Sequence, residues 1–424
     1  MKKKTKSNIY DWLLILTIIL LGGGAIGGAF RPVRILAIAI FPLLVIKGPS
    51  CKYIKNIAIT CGLFWVFCAC SLAWTPDIEE GLIQMFYYLT HFAILLEVIV
   101  FAYFAKQPLI SISAGWLLVM LFCTSIAVWE MLTGNHLPMA YEDNNFIHDE
   151  TGALVNRMVA SVTFANFNNY GAFLCFALPW LYYRLVSANY RYLDKTITVF
   201  IIAVAMLTVL INGSRGGIIS MICMLIIFLY SYKNKTVKLL IVVPIIIAVT
   251  YLLVIYHEEI FMVISMRESI SSEFGKSEGL YGGRIGIWLT ALRALLPTAG
   301  LGVGVGGMEK ALETYRTNSD IINMTHNMFV ELLLQYGVIW FIILIMFICR
   351  LIKKTNKIVD YQRSIPLKMA LWVMPVYCII NSSYLLDPAL YVLFGCIYVF
   401  TYYEIFTRRA SLTDYKRDNE EYNN

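Results

Sequence analysis

Charge is scarce in this chain: only 14% of its 424 residues are Asp, Glu, Lys or Arg. Soluble domains carry roughly a quarter, so a water-facing surface along most of the length is excluded. Linkers are missing too, although a soluble protein of this length would split into roughly two or three domains. No Asp-x-Asp motif is present, which disfavours a cytosolic nucleotide-sugar transferase. The ten cysteines fall almost wholly within apolar runs, with Cys51 in a polar break, so there is no disulfide framework. No cysteine–histidine spacing resembles a zinc site. Internal repeats and low-complexity tracts are also absent.

Hydrophobic residues make up 59% of the chain, and mean hydropathy is +0.70. Apolar runs of about 17–25 residues recur, enough for a helix to cross the hydrocarbon core. The expected fold is therefore all-α: one polytopic membrane domain over 1–424 with about 12 transmembrane helices. The spans read roughly 12–30, 33–46, 57–74, 82–105, 112–133, 169–187, 196–211, 216–231, 239–257, 326–350, 367–385 and 389–407. Pro42, Pro179, Pro244 and Pro375 lie inside spans, which membrane helices tolerate. The first span reads as a signal anchor. Its glycines, Gly22 to Gly28, read as close helix packing.

Lysine and arginine placement sets the expected orientation. With Lys2, Lys3, Lys4 and Lys6 inside, the inner segments hold 24 of the 34 basic residues. The other ten are spread over longer outer loops, with Asp77, Glu79, Glu80, Glu142, Asp143, Asp149 and Glu150. Both termini are then cytoplasmic, in a plasma or inner membrane. The net charge of +7 reflects this basic rim and does not argue for nucleic acid.

Two outer loops are long, 134–168 and 258–325. Long ordered loops in a compact domain usually carry function. In the second, Arg284 to Leu296 reads as an amphipathic helix ended by Pro297, and Met308 to Tyr315 as a short one. Between them, Gly302-Val303-Gly304-Val305-Gly306-Gly307 formally satisfies G-x-G-x-x-G. It lacks the βαβ context and lies on the wrong side for a dinucleotide.

Few residues could carry chemistry. Arg215 stands between two apolar runs, flanked by Gly213, Gly216 and Gly217. An arginine at the membrane interface calls for an anionic partner, and a glycine turn at a helix start suits a phosphate oxygen. The plainer reading is a snorkelling anchor. Arg284 follows Gly282-Gly283, and its planar fork could hold a pyrophosphate bidentately or simply lie exposed. Arg157 and Arg293 are weaker candidates on the same grounds. His326 opens the tenth span in Met324-Thr325-His326-Asn327; it could take a proton from a sugar hydroxyl or merely cap the helix. His91 and Glu97 lie inside one apolar run on different helix faces, as a proton relay or as polar packing partners.

Together these residues resemble the O-antigen ligase and Wzy-type polysaccharide polymerase superfamily. Four blocks over about 157–345 carry the resemblance: Asn156-Arg157 through Asn166-Phe167-Asn168-Asn169 to Gly171; Gly213-Ser214-Arg215-Gly216-Gly217; Gly283-Arg284 with Trp288, Pro297, Gly300, Gly302 and Gly304; and His326-Asn327 with Gly337. Phe167 departs from the pattern, where many members have proline. The resemblance implies a membrane glycosyltransferase that needs no metal or cofactor. Its donor would be a polyprenyl-diphosphate-linked glycan and its acceptor a second glycan, both met at the bilayer. By matched position Arg215 and Arg284 would hold the diphosphate, Arg157 and Asn327 would help bind substrate, and His326 would activate the acceptor hydroxyl.

The leading reading is a polymerase joining lipid-linked repeat units into a capsule, exopolysaccharide or O-antigen, with a flippase and a chain-length regulator as partners. A ligase moving a finished glycan to another acceptor is the alternative. A flippase or transporter should show two similar halves with broken helices at mid-membrane. This chain instead gathers its polar sequence into one outer loop.

Overall fold

The computed structural model describes residues 7–48, 51–139, 146–148, 154–156, 159–231, 283–315, 324–380 and 384–422. Most of them are helical. Helix α1 (Ile9–Ile19) starts at a capping box, in which Asn8 and Asp11 each accept from the other's amide. α2 (Pro32–Lys47), α3 (Lys52–Ser71), α4 (Ile78–Phe104) and α5 (Pro108–Thr133) follow. An antiparallel ribbon, β1 (Phe146–His148) with β2 (Leu154–Asn156), pairs Ile147 with Val155, a feature the all-α expectation lacked. The remaining helices are α6 (Phe167–Val186), α7 (Tyr192–Ile211), α8 (Arg215–Ser231), α9 (Gly283–Leu295), α10 (Met308–Tyr315), α11 (Met328–Thr355), α12 (Tyr361–Ile380) and α13 (Pro388–Tyr422).

Among the described residues, six helices are long and apolar enough to cross a membrane: α3, α4, α5, α7, α11 and Pro388–Thr407 of α13. Ile9–Gly23, Pro32–Ile46 and Gly216–Ser231 are apolar but shorter. This is a multi-pass membrane protein. The described helices do not by themselves reach twelve spans, and the ninth expected one, 239–257, lies outside the described residues. α6 and α12 are 20 residues each but carry polar starts, Asn168 and Asn169 in one and Gln362 and Arg363 in the other. α6 is buried in the bundle, with Phe173, Leu174, Trp180 and Leu181 shielded, so neighbouring protein covers what lipid would otherwise meet.

The first helix ends earlier than the expected 12–30. It tightens into a 3₁₀ turn over Leu20–Gly23 and stops at Gly24, whose φ is 51°. A Cβ on Gly24 would lie 2.6 Å from the Thr163 carbonyl carbon, so this glycine admits another backbone rather than a helix. Gly22 does serve helix packing, since a Cβ there would lie 2.7 Å from Val119 of α5.

α4 is the hub of one side, packing against α1, α2, α3 and α13, while α12 packs against α6, α8 and α11. Helix polarity puts the starts of α4, α6, α8 and α11 at one end of the bundle. At the opposite end, buried Asp11 accepts from the amides of Lys106 and Gln107 and from Ser111 Oγ, which pins α1 to the α4–α5 turn.

A glycine strap over 300–307 stitches the site end together. α11 breaks at Gly337 (φ 77°, ψ −176°). The Val338 amide, which would otherwise bond Leu334 within the helix, donates to the Gly300 carbonyl at 2.9 Å. The freed Leu334 and Gln335 carbonyls accept from Val303 (2.8 Å) and Gly304 (3.1 Å). On the strap's other side Trp74 Nε1 donates to Gly302 O, Thr75 Oγ1 donates to Val305 O, and the Val305 amide donates to Ser71 Oγ. The G-x-G-x-x-G match is thus a seat for backbone against backbone.

Gly337→Ala tests this seat. A residue with a Cβ at this φ costs about 1–3 kcal/mol, and the added carbon would collide with Gly300 and Leu301. A clear drop in the melting temperature of the detergent-solubilised protein is expected. Gly62→Ala in α3, where an added Cβ meets nothing within 4 Å, should leave it unchanged or raised. Equal behaviour of the two variants would remove the strap from the account.

Candidate functional site

The first site block is a buried, non-helical segment. Arg157 lies outside the described residues, but Val159 to Thr163 are all buried. The Ala160 amide donates to Asn212 Oδ1 at 2.8 Å, and Asn212 Nδ2 donates back to Ala160 O at 3.0 Å. Glu130, buried at the end of α5, accepts the amides of Ser161 and Val162 on one oxygen, both at 2.8 Å. Val162 has φ 55°, a left-handed backbone that a β-branched residue keeps only when its surroundings impose it. Thr163 Oγ1 donates to Gly22 O, and Ala25 N donates to Thr163 O. Asn166 then caps α6.

Asn212 immediately precedes the second block, so a reciprocal pair of hydrogen bonds ties that block to the first. Gly213 (φ 61°) turns the chain, and Arg215 is the first residue of α8. Its side chain lies outside the described residues; the structure places its helix start. α8 lies tight against α12 there, since a Cβ on Gly217 would sit 2.9 Å from Tyr377 Oη.

The third and fourth blocks are tied in the same way. Arg284, whose side chain also lies outside the described residues, is the second residue of α9. Trp288 follows one turn later, and its Nε1–H donates to the Thr325 carbonyl at 2.8 Å. Thr325 Oγ1 donates to Asn327 O. Between them His326, partly exposed, has φ 49°. Asn327 is buried and caps α11, its Oδ1 accepting from Phe329 N and Val330 N. That engages its carbonyl in helix capping rather than with substrate. α9 is seated by a small separate core that includes Ala291, Ala294, Val303, Met308, Leu312 and Leu334.

Arg215, Arg284 and His326 therefore share one placement: each sits at the N-terminal end of a helix, where unpaired amides and the helix dipole favour negative charge. α12 borders both tied pairs, with Tyr377 beside Gly217 and Cys378 within electrostatic range of Glu331 on α11. Arg293 is exposed in the last turn of α9 and joins neither pair.

His91 and Glu97 are not joined. His91 Nε2 meets the buried Arg34 guanidinium at 3.0 Å, and Arg34 also donates to Ala29 O and Leu386 O, bracing α2, α4 and the start of α13. Glu97 is fully buried, and its oxygens have no hydrogen-bond partner among the described residues. No group of three His, Cys, Asp or Glu side chains that could hold a metal gathers among the described residues. At the mouth of the bundle Lys310 of α10 donates to Asp77, the cap of α4, at 3.0 Å. That bond first, and the Glu80 amide second, hold the Asp77 carboxyl below its usual value. The stability it adds is present above the ordinary aspartate range and is lost as pH falls through the lowered value.

Residues 198–345 match the family model described as O-Antigen ligase. They form an O-antigen ligase domain. The matched segment holds Arg215, Arg284, His326 and Asn327 and begins beyond Arg157. No curated protein matches the chain. The O-antigen ligase domain and the membrane-spanning helices support a membrane protein of polysaccharide biosynthesis. Sequence reasoning gave no role to Glu130 or Asn212. Glu130 had a usable signal, a carboxylate inside an apolar run; Asn212 had none beyond its place next to the Gly-Ser-Arg turn.

If these ties set the O-antigen ligase site, Asn212→Ala and Trp288→Phe should each lower transfer while the protein still inserts. Losing one neutral hydrogen bond costs about 0.5–1.5 kcal/mol. Asn212→Ala breaks two bonds and should cost more than Trp288→Phe, in both melting temperature and turnover. Unchanged turnover in both variants would show that the ties are incidental.

Proposed function

We propose that this protein is a membrane glycosyltransferase that polymerises polyprenyl-diphosphate-linked repeat units into a cell-surface polysaccharide. The Trp288–Thr325 hydrogen bond carries the reading, because it fixes the helix start bearing Arg284 beside the loop bearing His326. The O-antigen ligase match over both residues supports it.

In this reading the acceptor sugar's hydroxyl oxygen attacks the anomeric carbon of the donor glycan. The bond from that carbon to the diphosphate oxygen breaks, and its electron pair leaves with the polyprenyl diphosphate. His326 takes the hydroxyl proton as general base, a role a neutral imidazole nitrogen can fill. Arg215 and Arg284 hold the diphosphate and stabilise the charge it gains, with no metal or cofactor. Arg157 and the Nδ2 of Asn327 help bind the glycan. The left-handed backbone at His326 fits a side chain whose position matters more than the strain it stores.

His326→Ala should insert normally and leave lipid-linked units unextended, a loss of about 10²–10⁴ in rate. His326→Gln should do no better, since an amide cannot take the proton. Arg215→Ala and Arg284→Ala should each weaken donor use, by roughly 1.5–3 kcal/mol for a charged hydrogen bond, and lysine should restore only part. Turnover of a purified lipid-diphosphate donor, with polymer length on gels, measures all of these. Full-length polymer from both histidine variants would end the catalytic role, and transfer of finished chains to another acceptor would make the protein a ligase.

We read the topology as twelve spans with both termini cytoplasmic. In intact cells, external labelling should reach cysteines introduced at Ser277 and Asn145 and miss those at Asn234 and Asn356. Labelling at Asn234 would invert the topology and put the site on the wrong side for its donor.

A further inference from the structure

A groove of about 510 Å³ runs between α3, α4, α11 and α13, from Met328 and Tyr88 near the candidate site to Arg350 and Lys354 at the other end of the bundle. Its size falls in the range of roughly 300–1,000 Å³ usual for ligand cavities. We propose that it binds an anionic phospholipid of the leaflet at that end, the phosphate on Arg350 and Lys354 and an acyl chain in the groove. The proposal does not depend on the polymerase reading.

The two ends of the groove differ. Toward the candidate site it is lined by Met328 and Tyr88, both fully buried. Phe64 lines it there, packing on Tyr336 and Trp340 with ring centroids 4.9 Å apart in each case. Toward the other end α3 stands away from α11, and Asn56, Thr60 and Arg350 are exposed along the groove. Lys354 holds its ammonium over the Tyr402 ring at 4.0 Å and the Tyr53 ring at 5.2 Å. Arg350 and Lys357 both lie within electrostatic range of it. Among the described residues neither Arg350 nor Lys354 has an ion-pair partner. Like charges gathered without a carboxylate, at the open mouth of an apolar channel, complement a lipid with an anionic head. A polyprenyl chain hung from the starts of α8 and α9 would enter from the opposite end, past the fully buried Met328 and Tyr88.

The test is a titration of the full-length protein, purified in neutral detergent, with phosphatidylglycerol or with phosphatidylcholine of the same chains, followed by native mass spectrometry. Phosphatidylglycerol should bind about tenfold or more tightly, from about 1 kcal/mol per basic residue at a membrane surface. The preference should vanish in the Arg350→Gln/Lys354→Gln double variant. Thr60→Trp, which fills the channel and keeps both charges, should lose binding while keeping its melting temperature. Equal affinity for the two lipids overturns the proposal. So does a preference that survives Thr60→Trp, which would be surface attraction alone. Polyprenyl phosphate displacing the phospholipid at equal concentration would assign the groove to the donor tail and overturn it too.

Discussion

Backbone that leaves a helix near hydrocarbon must find partners for its amides and carbonyls, because no water reaches them there. Much else in this structure follows from how two non-helical segments meet that demand. The 300–307 strap borrows carbonyls released by the break at Gly337 and side chains at the α3–α4 turn. The 159–166 segment uses the Glu130 carboxylate, the Asn212 amide and the turn after α1. In both cases the partners come from elements far apart in sequence, so meeting the demand also fixes how those elements sit.

The proposed site depends on that fixing. Arginine and histidine at helix starts would be of little use if the helices moved freely. Asn212 holds the turn before α8 to the first block, and Trp288 holds α9 to the loop before α11. The left-handed residues Val162 and His326 lie on the segments these ties hold, where the surroundings determine the backbone and can maintain strain. The amides at the starts of α8, α9 and α11 add positive potential before any side chain is counted.

The local parts of this picture were readable in the sequence, and the long-range parts were not. The helix read over Arg284 to Leu296 is found at Gly283–Leu295, because Pro297 and the apolar spacing are local signals. The short helix at Met308–Tyr315 is found there too. The first span misled because Gly22 to Gly28 fits both a packed helix and a turn, and only the approach of Thr163, about 140 residues away, decides between them. The arginines and histidine could be singled out by type and position. Glu130 stood out only as a carboxylate in an apolar run, and Asn212 not at all, since their work is done on the backbone of distant residues. The glycine strap matched a nucleotide motif because both need backbone to approach something closely, and the sequence does not say what.

Hydrogen–deuterium exchange on the full-length protein, with and without a polyprenyl diphosphate lipid, tests most directly whether these segments form one diphosphate site. The account predicts that the lipid slows exchange together at 159–167, 212–218, 284–289 and 324–331. Protection confined to one of these segments, or found only along the apolar groove near Arg350 and Lys354, would contradict it.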